Sequence, residues 1–351
     1  MEVTRKGVMP THISWSSIEL LHNVIRTLAI LKENTGAEPP QVSYRGKVKL
    51  HGTNCAVQIT PDGVFAQSRT GMLTTEDDYK GFAKWVASHT SPGDVNGDGM
   101  GYFMNRRPTF TILGEWCGPG VEKGMAISQV KNKVFAVFAI QVGLGVDARV
   151  VYDPEEIDLY LGGSLPQGMY VLPWQGDEFS VDFTDRASIE NAASLVNQRV
   201  AEVEREDPWV KTTLGVSGIG EGLVFYPVAV GGNPTAVPTD PEALAHLMWK
   251  AKGEKHRTAG TKEAVQVEPS VVASTGEFVS LMVTPARLEQ GVSVACGGVR
   301  EPKMTRNFLS WVSADVMKES MAELEVSGLT WPQVEKAVQA KAREWFLGQA
   351  G

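Results

Sequence analysis

Hydrophobic and polar positions along the chain alternate between two periods. Over residues 16–34, SSIELLHNVIRTLAILKEN, apolar side chains fall at Ile18, Leu21, Ile25, Leu28 and Leu31. That spacing predicts a helix, opened by a Ser16/Glu19 capping box and closed at Gly36. Short strand-like runs follow. VSYRGKVKL, CAVQI and VFAQS predict strands, with Pro61-Asp62-Gly63 as the hairpin turn between the last two. YKGFAKWVAS (79–88) reads as a helix, and PTFTILGEW, KVFAVFAIQV, EGLVFYP and HLMWKAK as further strands. SIENAASLVNQRVAEVERED (188–207) supplies a helix among them.

From about residue 257 the character changes. RTAGTKEAVQVEPS is polar and predicts a linker over about 257–272. Beyond it, NFLSWVSADVMKESMAELEV and TWPQVEKAVQAKAREWFLG are helical, the second with Thr330 as N-cap, Pro332 in the first turn and Gly348 as stop. The expected organisation is a mixed α+β domain over 1–258 and a small all-helical domain over 259–351.

Composition narrows the class. The 351 residues are 42% hydrophobic and 21% charged, which suits a globular chain with a substantial core. No run approaches the eighteen or so consecutive apolar residues of a spanning helix, and MEVTRKGVMPTHISW lacks a signal-peptide core. No membrane segment or obligate protein partner is evident. The three cysteines, Cys55, Cys117 and Cys296, are odd in number and far apart, which argues against a disulfide framework and for a reducing cytoplasm. The net charge of −8 excludes a uniformly basic nucleic-acid coat, so any such role must rest on a local basic surface.

Several apparent motifs do not hold up. DVNGDG (94–99) begins like a calcium loop, but its twelfth position is Asn105 rather than a bidentate acid. The histidines show no zinc spacing, and QVGLGVD (141–147) lacks the lysine of a phosphate-binding loop.

What remains is KVKLHGTNCAVQI (47–59). Lys49 ends a predicted strand, Gly52 permits a sharp turn, and Thr53 and Asn54 offer hydrogen-bonding groups there. Alone, Lys49 reads as a strand-end lysine in water. On HLMWKAK, alternation places Lys250 and Lys252 on one face, suited to a triphosphate and to depressing the pKa of a nearby Lys49; a solvated edge strand gives the same pattern. Glu115 and Glu221 are single acids in apolar strands, where a metal, a hydroxyl or a cation would satisfy them. KVFAVFAIQV puts Phe135 and Phe138 on opposite faces, one for the core and one free to stack on a purine.

In order, KLHGTN, SRTG (68–71), GEWCG (114–118), FAVFAI (135–140), EGLVF (221–225) and WKAK (249–252) resemble the nucleotidyltransferase motifs of covalent ligases and capping enzymes. The His-Gly-Thr-Asn form is similar to the RNA ligase 2 family, which includes phage RNA-repair and trypanosome RNA-editing ligases. GEWCGPGVEKGMAISQVKNKVFAVFAI extends the likeness, and MVTPARLEQGVSVACGG and WVSADVMKESM resemble that branch's helical C-terminal domain.

The resemblance implies an α+β nucleotidyltransferase domain of antiparallel sheets with flanking helices, then the helical domain. It implies Lys49 as the nucleophile that accepts AMP, with His51, Thr53 and Asn54 lining the nucleotide and 5′-phosphate pocket. Arg69 would contact phosphate, Glu115 the ribose hydroxyls, Phe138 the adenine, Glu221 the metal, and Lys250 and Lys252 the α-phosphate. In the tail, Arg287 and Asp315 match residues needed for sealing. ATP and magnesium, with manganese as substitute, are the implied cofactors. A nicked duplex RNA with 3′-hydroxyl and 5′-phosphate ends is the implied partner, held on a basic surface of Arg69, Arg106, Arg107, Lys123, Lys131, Lys133, Lys255 and Arg257. The chain departs from the family pattern at Val48 and Ala139, where acids are usual. A DNA ligase or capping-type transferase, and an RNA-end-binding protein without catalysis, are the alternatives.

Overall fold

A computed structural model describes residues 10–13, 15–90, 109–162, 165–253, 275–321, 324 and 329–348. The DVNGDG run, Asn105, Arg106, Arg107, Lys255, Arg257 and the expected linker lie outside them.

The first helix starts later than its spacing suggests. Glu19–Leu20 forms strand β1, paired in parallel with Trp249 and Lys250, so the capping box does not form and Leu20 caps helix α1 (Leu21–Thr35) without a side-chain bond. A main chain committed to a strand at Glu19 cannot also begin the helix there. The end is as expected: Gly36 takes φ 73° and its N–H donates to the Lys32 carbonyl.

Strands β2 (Gln41–Lys49), β3 (Thr53–Thr60), β4 (Gly63–Ser68) and β5 (Met72–Leu73) follow, with Pro61 and Asp62 turning the β3–β4 hairpin. Next come α2 (Phe82–Ser88), β6 (Phe110–Cys117), β7 (Val134–Val142), β8 (Arg149–Val151), α3 (Pro154–Leu161), β9 (Met169–Val171) and β10 (Gln175–Asp182). Helices α4 (Arg186–Arg205) and α5 (Pro208–Leu214), strand β11 (Gly222–Val230), helix α6 (Pro241–Ala245) and strand β12 (Trp249–Lys252) complete this part.

The strands build two sheets. One has the order β1-β12-β11-β2-β10, and the other β5-β4-β3-β6-β7-β8 with β9 beside β7. β2 and β3 belong to different sheets, so the chain passes between sheets within Leu50, His51 and Gly52. Period-two alternation sorts the β3, β6 and β7 side chains onto two faces. Cys55, Val57, Ile112, Phe135 and Val137 pack with Phe82 and Val86 of α2 and Ile157 and Leu161 of α3. Ala56, Leu113, Ala139 and Val150 meet Val224 and Tyr226 of the other sheet.

Four further helices, α7 (Thr275–Met282), α8 (Pro285–Cys296), α9 (Thr305–Glu319) and α10 (Trp331–Gly348), share a separate core. It is built from Phe278, Leu288, Val292, Phe308, Val312, Val316, Val334, Val338 and Phe346, with the Phe308 and Phe346 rings stacked at 4.3 Å. Their apolar residues recur at three and four, as an amphipathic helix requires. Two compact units result: Met1–Leu20 with Val24–Ala251, and Leu21–Asn23 with Lys252–Gly351. The protein is α+β, with antiparallel pairing predominant and, among the described residues past β12, helices without strands. No described helix is long and apolar enough to cross a membrane.

Candidate active site

Lys49 is the last residue of β2 and lies opposite Gly222, the first residue of β11. This register brings Glu221 beside it. Lys49 Nζ is 2.8 Å from Glu221 Oε1, and His51 Nδ1 is 3.2 Å from Glu221 Oε2. The Glu221 side chain is 5% exposed and that of Lys49 23%, so a nearly buried carboxylate faces a lysine that solvent still reaches.

Gly52 makes the turn possible. A Cβ there would lie 2.5 Å from the Trp116 carbonyl oxygen and 2.7 Å from Cys117 Cβ, so any side chain would force its neighbours to shift. The close approach lets the Gly52 main chain hydrogen-bond the Glu115 carboxyl. Thr53 and Asn54 then open β3 opposite Trp116 and Glu115. Burial pushes the Glu115 pKa up to about 7, with Lys49 opposing and the Glu221 carboxylate adding to the rise. Lys49, His51, Glu115 and Glu221 thus form one coupled group. Cations, carboxylates and a main-chain turn converge there, as nucleophilic chemistry on a charged substrate requires.

Phe135 is fully buried in the core, while Phe138 is half-buried on the opposite face, its ring 5.3 Å from that of Trp15. Gly114 makes room for Phe135, because a Cβ at that position would fall 2.6 Å from its ring. The β6–β7 register shifts at this point: Leu113 pairs with Ala139 and Gly114 with Val137, so Phe138 is bulged.

Lys250 and Lys252 are half-buried on one face of β12, with Trp249 and Ala251 buried on the other. β12 lies two strands from β2, about 10 Å by the usual strand spacing. The carboxylate of Glu221 is in direct contact with Lys49. Arg69 donates to Ser17 Oγ at 2.8 Å, Lys133 donates to the Lys80 carbonyl at 2.6 Å, and Lys123 and Lys131 are exposed. In the helical unit, Arg287 Nε and Asp315 Oδ2 lie 3.0 Å apart. The N–H does not point along that line, so the contact is an ion pair rather than a hydrogen bond. Burial raises the Asp315 pKa against the pull of Arg287.

Val48 and Ala139 are 3% and 0% exposed, and Ala139 packs in the apolar cluster between the sheets. Sequence reasoning missed Lys47, which is 1% exposed and on the same face of β2 as Lys49. Alternation gives the shared face, but a strand lysine carries no local signal of burial. Trp15 and Trp174 were missed as well. Among the described residues no group of three or more His, Cys, Asp or Glu forms a metal cage. Magnesium needs fewer, since it keeps several waters and binds through one or two carboxylates and substrate phosphates. Glu221, with Glu115 coupled to it, fits that demand.

A family model described as RNA ligase matches residues 43–234. The fold is similar to solved structures of a Naegleria gruberi RNA ligase. A lysine-to-alanine mutant with ATP and Mn is 18% identical with a TM-score of 0.40, covering 70% of this chain and 57% of that one. A glutamate-to-alanine mutant with ATP and Mn is 19% identical over the same shares, TM-score 0.42. The form with PPi is 20% identical, TM-score 0.40, covering 62% and 54%. The chain thus spans a little over half the length of these structures. No curated protein matches it. The match over 43–234, more than half of the chain, takes in Lys49, His51, Glu115, Phe138 and Glu221: the protein belongs to the RNA ligase family.

Proposed function

We propose that the protein is an ATP-dependent RNA ligase that joins a 3′-hydroxyl to a 5′-phosphate through a lysyl-AMP at Lys49. The observation that carries this reading is the Lys49–Glu221–His51 contact beside Glu115. Lysine attacks only as the free amine. Glu221, 2.8 Å away, is placed to take its proton.

In the first step Lys49 Nζ bonds to the α-phosphorus of ATP, the α–β phosphoanhydride bond breaks, and pyrophosphate leaves. In the second, a 5′-phosphate oxygen of RNA displaces Lys49, which regains a proton, and AMP is joined to the RNA end. In the third, the 3′-hydroxyl attacks that end, the strand is sealed and AMP departs. Each step develops charge on nonbridging oxygens, which Lys250 and Lys252 would offset. A divalent metal, magnesium or manganese, would be held by Glu221 and would supply further neutralisation of phosphate charge.

Glu115 would take the ribose hydroxyls and Phe138 would stack on adenine, with Thr53 and Asn54 lining the pocket. Arg69 would reach phosphate. Arg287 and Asp315 would serve sealing. A nick in duplex RNA is the favoured substrate, read by shape and 2′-hydroxyls. Intact mass after incubation with ATP and magnesium tests the reading. A gain of one AMP, absent in Lys49→Ala, supports it; no adduct with either metal from pH 6 to 9 overturns it. Sealing compared on RNA and DNA 3′-ends, with a GTP control, separates it from DNA ligases and capping enzymes.

A further inference from the structure

Lys47 is the most deeply buried cation near the site, and no step above uses it. Its Nζ donates to the Phe138 carbonyl at 3.0 Å and lies 5.0 Å from the Trp174 ring centroid and 5.4 Å from that of Tyr226. Rings hold a desolvated cation by their electron-rich faces. They are themselves tied down: Trp174 Nε1 donates to Asp153 Oδ2 at 3.1 Å, and Tyr152 stacks on Tyr226 at 5.2 Å and donates to the Pro227 carbonyl.

The acceptor explains why a lysine belongs there. Along β7, strand β6 pairs with Val137 and Ala139 but skips Phe138. On the other edge β9 pairs with Phe135 to Val137, and β8 begins at Ile140. Phe138 is thus the one residue of β7 without a strand partner on either side. Its carbonyl accepts from Lys47, which reaches it from the facing sheet.

We propose that Lys47 is a positioning residue of the nucleotide pocket, holding the Phe138 main chain at the bulge so that its ring is set to receive a purine base. The inference rests on the nucleotide-binding reading of the site. Among the described residues, the titratable and charged groups facing Lys47 are Asp153 and Asp158 at α3 and Tyr226 on β11, with Arg45 over the Trp174 ring and Tyr152 stacked on Tyr226 behind them. Burial pushes the Lys47 pKa down to about 7, with Asp153 and Asp158 opposing. Its charge therefore changes near neutrality, which makes the hold on Phe138 strongest below that pH.

Calorimetric binding of ATP and of inorganic triphosphate to the full chain, from pH 6 to 8.5, tests this. Wild type, Lys47→Met and Lys47→Arg are compared. Lys47→Met should lose ATP affinity on the order of fivefold at pH 6.5, less at pH 8.5, and keep its triphosphate affinity. Lys47→Arg should retain ATP binding and decline less above pH 7 than wild type does. Glu115 also titrates near 7, but all three proteins share it. Equal ATP affinity in Lys47→Met and wild type at pH 6.5, or a parallel fall for both ligands, overturns the inference alone. If wild type binds neither ligand, the reading of the site falls with it. Should Lys47→Met not fold, the ATP-to-triphosphate ratio of wild type against Lys47→Arg decides: identical pH profiles overturn the proposal.

Discussion

Glu221 and Lys49 meet at 2.8 Å where one strand begins and its neighbour ends. The contact ties Lys49 to β11, and through His51 it ties the inter-sheet turn to the same carboxylate. Removing the charge while keeping the shape tests what it does. Glu221→Gln should stay folded and slow lysyl-AMP formation by about a hundredfold or more. Mass spectrometry of timed ATP reactions measures this; a rate within a factor of three of wild type would leave Glu221 without a chemical role.

Glu115 supplies a pH-dependent stability. Its folded pKa, about 7, lies above the ordinary 4.5, so between those values the folded state binds more protons than the unfolded. Its burial cost is absent below pH 4.5 and fully present above 7. Glu115→Gln should therefore be more stable than wild type at pH 8, by on the order of 2–3 kcal/mol, and no more stable at pH 4.5. Denaturant titrations at the two pH values check both sign and window.

Gly52→Ala should be costly in proportion to its clash with Trp116 and Cys117. Overpacking of this kind costs roughly 1–3 kcal/mol. Thermal melts should show a lower midpoint, and lysyl-AMP formation should fall further than stability does, because the displaced turn carries His51 and the Glu115 hydrogen bond.

Asp315→Ala removes the carboxylate that pairs with the buried Arg287, which also donates to the Met282 carbonyl. Breaking a buried pair from one side costs about 3–5 kcal/mol. The helical unit of the full chain should unfold earlier, as followed by hydrogen exchange at α8 and α9. If Asp315 acts only in sealing, exchange stays unchanged while joining is lost.

How far the chain discloses its fold varies with the physics involved. Period-two runs located β3, β6, β7 and β11, because each buries one or both faces. β10 escaped notice because QGDEFSVD keeps a mostly polar, exposed surface beside β2. The late start of α1 was also hidden, since the pairing of Glu19 with Trp249 is set by residues far away in sequence. Within the site, Lys49, Glu115 and Glu221 were legible as charges in apolar strands. Their mutual contacts were not, because these depend on register between strands. Lys47 was least legible: what makes it unusual is a main-chain carbonyl on another sheet, to which it donates.

The three-residue passage from β2 to β3 gives the proposed reaction a diagnostic use. Lys49 stands on one sheet while Asn54 and Glu115 stand on the other. A chain with one sheet formed and the other undocked would have an intact lysine and no pocket. Lysyl-AMP formation would then report whole-sandwich assembly during refolding, remaining silent in half-built intermediates that spectroscopy scores as structured.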